Sequence, residues 1–212
     1  MRRATLLNLL AILTVAGAAP ALAAEKVIPA AKPFPFLAAY LKLPPSQRNR
    51  FTLSYTLRIG TQPLAAPMWL VEGANRIPVP LGSDGRVQRL PTLAQLENDR
   101  LAFGLDESVK LNVALDVEPV TPPTTEIDAR DLAAAIAQAA AGQRTVAGVL
   151  SMAMPKLQQV GFLGVPSGEV EFGDGRRAAL PVIKGIVTYN PQGLPDARRL
   201  HFPKPPLKLK IS

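Results

Sequence analysis

Residues 51–59 read FTLSYTLRI and residues 109–118 read VKLNVALDVE, two runs in which apolar and polar side chains alternate one for one. Successive side chains of a strand point to opposite faces, so this period of two predicts half-buried strands rather than helix, whose apolar face recurs every three to four residues. On the first run Phe51, Leu53, Tyr55, Leu57 and Ile59 are expected inward, with Thr52, Ser54, Thr56 and Arg58 outward. On the second, Val109, Leu111, Val113, Leu115 and Val117 face the core, and Lys110, Asn112, Ala114, Asp116 and Glu118 face solvent. From Gly168 onward EVEF, RRAALPVIKGIVTY, ARRLHF and PLKLKI continue in this style, the last setting Leu207, Leu209 and Ile211 against Lys208 and Lys210.

The stretch EPVTPPTTE (118–126) carries three prolines, which offer no backbone donor, so a lobe boundary is expected over 119–126. Beyond it Asp128 suits a helix N-cap and Asp131 the first turn, where a carboxylate meets unpaired amides. The strong helix formers of DLAAAIAQAAAG follow, with Gly142 as the stop. A second helical stretch from about Thr145 through VAGVLSMAM to Pro155, extending toward Val160, would complete a helical hairpin. The expected fold is α+β: an antiparallel sheet or sandwich-like core over residues 51–212, forming a single domain, with a helical hairpin inserted after about residue 126. Residues 24–50, rich in proline, read as an extended lead-in holding one short helix in FLAAYLKL that Pro44 and Pro45 end.

The N-terminus adds a location. Arg2 and Arg3, an apolar run from Leu6 to Ala19, Pro20 and then Ala21-Leu22-Ala23 follow the order of a cleavable export signal, so residues 1–23 are expected to be removed and the rest to be periplasmic or secreted. A retained anchor, Ala4 to Ala24, is the alternative; the small residues at its outer edge fit cleavage better. No later run is long and apolar enough to span a bilayer. The absence of Cys excludes disulfides, a lipid-bearing start and thiolate chemistry, so core burial alone must hold the fold.

Asp84 and Asp174 each begin Asp-Gly-Arg-x-x-x-Leu-Pro. A calcium loop needs more oxygen ligands than one Asp, and a phosphate loop needs a longer glycine run entering a helix. Asp-Gly between alternating apolar runs instead predicts hairpins. Three-residue loops would place Gly85 and Gly175 in the left-handed region, Leu81 opposite Val87, and Glu171 opposite Arg177.

Catalytic chemistry finds little footing. His201 is the only histidine and is expected exposed beside Arg199; no metal site or bound cofactor is expected, and no serine sits in a nucleophile motif. The carboxylate pairs Asp116/Glu118 and Glu169/Glu171 read as solvated strand faces, although a hydrolase would have to be built from them and a serine. Trp69 reads as core. The charge is lopsided: residues 176–212 hold Arg176, Arg177, Lys184, Arg198, Arg199, Lys204, Lys208 and Lys210 against Asp196 alone. The primary expectation is therefore a non-catalytic binding or scaffolding protein of the cell envelope. Its basic face, Arg198, Lys204, Lys208 and Lys210, would meet lipid head groups, lipopolysaccharide, an acidic polymer or a protein partner, not nucleic acid. The alternative is a small apolar-ligand or lipid-binding protein whose helix–sheet groove uses Leu150, Met152 and Met154.

Overall fold

The structure, a computed structural model, describes residues 25–147 and 154–212. The first half of the chain contains β1 (Lys26–Pro29), α1 (Leu37–Lys42), β2 (Phe51–Ile59), β3 (Gln62–Pro63), β4 (Met68–Glu72), β5 (Asn75–Pro78), α2 (Leu93–Asn98), β6 (Arg100–Phe103) and β7 (Leu111–Pro119). The second contains β8 (Glu126–Asp128), α3 (Ala129–Ala147), β9 (Val160–Leu163), β10 (Glu169–Phe172), β11 (Arg177–Ala179), β12 (Val182–Ile183), β13 (Ile186–Tyr189), β14 (Ala197–His201) and β15 (Lys208–Ile211). Three antiparallel sheets and one long helix make this an α+β fold.

The central sheet runs β12-β13-β9-β15-β7-β2-β3, and the two four-stranded sheets run β1-β6-β4-β5 and β11-β10-β14-β8. Written from its other edge, the last is β8-β14-β10-β11, so the second half repeats the order of the first, apart from β3 and α2, which have no counterpart. Each half sends a strand to a small sheet, a helix, a strand to the central sheet, a hairpin to the small sheet and a hairpin against the central sheet. One further strand then goes to each. The halves meet where β7 lies antiparallel to β15, with Val117 opposite Ile211. The proline-rich segment 119–126 joins the halves, yet one continuous cluster of buried side chains draws on all three sheets.

The lead-in does more than precede the domain. Lys26 to Pro29 pair with β6, Phe34 and Leu37 are fully buried, and α1 forms in the predicted place with Leu43 as its C-cap ahead of Pro44. Strand β2 buries both faces: Ser54 and Thr56 are as enclosed as Leu53 and Leu57, while Ile59 is exposed at the strand end. The Arg86 arm of the first Asp-Gly-Arg hairpin pairs along the edge of β2, and on the expected outward face the Arg86 side chain and Ser54 both meet Glu118 of β7.

Asp128 caps α3 as expected, its Oδ1 accepting from the Arg130 amide at 2.8 Å. Gly142 does not end the helix, which runs on through Ala147. Its place is explained by approach distance, since a Cβ there would lie 3.0 Å from the Phe51 ring. Of the proposed second arm, residues 145–147 belong to α3, residues 148–153 lie outside the described residues, and Met154 to Gln159 are not helical.

Both Asp-Gly-Arg stretches are three-residue turns. Gly85 and Gly175 take φ of 81° and 83°, Asp84 and Asp174 cap the Arg86 and Arg176 amides, and Leu81–Val87 and Glu171–Arg177 are cross-strand partners. They occupy non-equivalent places in the repeat: the first tips the hairpin against the central sheet, the second the β10–β11 hairpin of a small sheet. Their likeness is therefore convergence on one turn solution, even though the fold itself is doubled.

Candidate functional site

Small residues on one face of α3, Ala135, Ala139 and Gly142, let the helix lie close to the sheet around Phe51. Past that contact the two surfaces diverge and leave a trough of about 340 Å³, within the range of small-molecule sites. Its floor is Phe51 and Leu53 of β2, Leu115 and Val117 of β7 and Ile211 of β15; Val146 and Ala147 form one wall, and Phe36, Tyr40 and Leu43 around α1 another. Met154, Pro155 and Leu157 close one end.

Among the described residues, the polar side chains on these walls are already engaged. Tyr40 Oη donates to the Phe51 carbonyl at 2.9 Å, Gln143 Nε2 to the Pro155 carbonyl at 3.0 Å, Lys210 Nζ reaches Asp116 Oδ1 at 2.5 Å, and Gln159 Nε2 donates to Ser212 Oγ at 3.3 Å. The trough thus offers contact area without directional partners. At its rim Phe36 holds φ at 66°, in the left-handed region that a bulky residue rarely occupies, and leaves its side chain substantially exposed.

Of the three groove residues expected from the sequence, Met154 lines the trough, while Leu150 and Met152 fall outside the described residues. The α1 residues were not foreseen. Their apolar character is visible in the sequence, but it is shared with every core position.

The four basic residues do not form one face. Lys208 and Lys210 project from β15 onto β7, where Lys208 lies 2.7 Å from Asp116 and 3.0 Å from Glu118. Arg86 adds a bidentate contact to Glu118 at 2.9 and 2.7 Å, and Ser54 donates to the same carboxylate at 2.5 Å. This seam stitches the two halves of the fold together. Burial would raise the carboxyls of Asp116 and Glu118, but the donors facing them outweigh it and hold both below the usual range. Burial would likewise lower Lys208, and its two carboxylate partners raise it instead. Glu118, expected outward in solvent, is buried by this pairing.

Arg198 lies elsewhere, over Gly173 in a crevice shared with Arg130, Arg176, Asp174 and Asp196, and Lys204 is exposed ahead of β15. His201 is not the exposed residue expected: its ring is mostly enclosed between strands, with Nε2 2.9 Å from Glu171 and Nδ1 3.6 Å from Glu126. The hydrogen bond from His201, then that from Arg177, keeps the Glu171 carboxyl low. Trp69 is partly covered by the Arg76 guanidinium, 4.7 Å from its ring centre. Among the described residues no group of three or more His, Asp or Glu could hold a metal ion, and no helix is long and apolar enough to cross a membrane. No protein-family model, curated protein or solved structure matches the chain.

Proposed function

We propose that the protein is exported to the cell envelope and there holds the hydrocarbon chain of a lipid or similar apolar ligand in the trough between α3, α1 and the central sheet. The observation that carries this reading is the wall chemistry: an open apolar surface whose polar side chains, among the described residues, are bonded within the protein. A polar metabolite would lose its water partners there without replacement, whereas an acyl chain loses none. The basic-face reading draws less support, because Lys208 and Lys210 already face carboxylates. The leader at residues 1–23 supports export.

Extraction of the purified protein followed by lipid mass spectrometry, with titration of a fluorescent fatty acid, tests the reading. Co-purified acyl lipid or saturable probe uptake is expected, and Val146→Asp, which puts a carboxylate in the wall, should abolish either. A folded protein that carries no lipid and takes up no probe refutes ligand binding, and full-length chain retained in the cytoplasm refutes export.

A further inference from the structure

Seven large apolar side chains are exposed among the described residues, and four of them, Val182, Ile183, Ile186 and Leu207, lie toward one end of the central sheet, Ile183 and Ile186 on one face and Val182 and Leu207 on the side of Val187 and Leu209. Ile183 and Ile186 are cross-strand partners at the end of the β12–β13 hairpin. Ile186 and Leu207 flank the end of β9 from opposite sides: Leu207 donates its amide to the Leu163 carbonyl at 2.9 Å. Glycines make room for both, since a Cβ on Gly161 would touch Ile186 at 3.1 Å and one on Gly164 would collide with Leu207. Leu207, expected inward from its strand pattern, is 82% exposed.

The hairpin turns on Lys184 and Gly185, both at positive φ (51° and 79°), the two-residue geometry that matches strand twist. Asn is the usual non-glycine choice at the first position; this chain places a cation there, between two exposed isoleucines. Lys204 and Lys208 precede and follow Leu207 in the chain. The single acid after Asp174 is Asp196, which sits in the arginine crevice of another sheet.

We propose that this end of the sheet docks the protein on an anionic phospholipid surface, with Val182, Ile183, Ile186 and Leu207 entering the head-group boundary and Lys184 and Lys204 meeting lipid phosphates. A protein partner is less well served. The free edge of β12 is two residues long and follows Pro181, too short for strand addition, and four side chains fall far below the roughly 800 Å² per partner of a stable interface. This docking is independent of what the trough holds.

Flotation of the intact chain with phosphatidylglycerol-containing and with purely phosphatidylcholine vesicles tests it. Binding to the anionic vesicles is expected, weakened by high salt. Lys184→Asn keeps the turn and should weaken binding about fivefold by removing one charge from the surface. Ile183→Ser with Leu207→Ser should abolish binding at unchanged thermal stability, because both side chains are exposed. Val146→Asp should float like the unaltered protein, which separates this result from the fate of the trough. Failure to float at low salt, flotation untouched by both hairpin variants, or a concentration-dependent self-association that Ile183→Ser removes would overturn the proposal.

Discussion

Replacing Glu118 by Gln isolates the charge at the seam where the two halves of the fold meet. The Glu118 carboxylate, 12% exposed, receives four donors: two from Arg86, one from Ser54 and one from Lys208. An amide of the same shape accepts on one side only and turns its own N–H groups toward Arg86 or Lys208. Breaking a fully buried pair costs about 3–5 kcal/mol. Here the Arg86 and Lys208 side chains are 33% and 24% exposed and Lys208 keeps Asp116, so solvent and the remaining partner reduce the expected loss to about 2–3 kcal/mol. That corresponds to a fall in melting temperature of about 4–12 °C for a chain of this size. Because Asp116 and Glu118 both titrate below their ordinary values, their contribution is complete above the unfolded carboxylate range near pH 4 and is lost as the pH falls through the folded values. The deficit of Glu118→Gln, measured by urea unfolding, should therefore shrink on acidification, and the stability of the variant should depend less steeply on pH in that window. A loss below about 0.5 kcal/mol, typical of solvated surface pairs, or a deficit that persists unchanged at acid pH, would refute the account.

The two Asp-Gly-Arg turns should respond unequally to alanine, again by urea unfolding. Gly85→Ala sets a Cβ into collision with the Leu57 carbonyl oxygen as well as at positive φ and should cost about 3 kcal/mol or more, whereas Gly175→Ala meets open space and should cost only the conformational penalty of about 1–2 kcal/mol; equal costs would count against the close docking of the first hairpin on β2. Asp128→Ala removes the cap of α3 and should cost about 1 kcal/mol, seen as lower helical ellipticity at intermediate urea. Arg86→Leu combined with Glu118→Leu should recover much of the loss shown by either single change, since the apolar pair leaves no buried charge unmatched; strict additivity in this cycle would mean that the two residues do not act together.

Features whose causes lie within a few residues were legible in the chain. The left-handed glycines of the Asp-Gly-Arg turns, the cap at Asp128, the short helix before Pro44 and the two long strands themselves follow from backbone sterics and side-chain period, and each is found where expected; the solvated face that alternation predicts for those strands is not, because Ser54, Thr56 and Glu118 are buried. The prediction that Gly142 stops α3 failed for a tertiary reason. Glycine serves a turn and a close approach equally well, and only the position of Phe51 shows which applies.

Lys208 and Asp116 are 92 residues apart, and nothing in either strand says that one will lie beside the other. Alternation tells which side of a strand a residue occupies, but not which strand comes next to it. The strand order that sets β7 against β15 turned two lysines expected to meet an outside partner into half of an internal ion network. The same order doubled the fold, set a half-buried His201 between two glutamates and left the apolar trough beneath α3. Local chemistry determined the elements and their turns; the neighbours of each charge, and the space left between the surfaces, exist only once distant segments have paired.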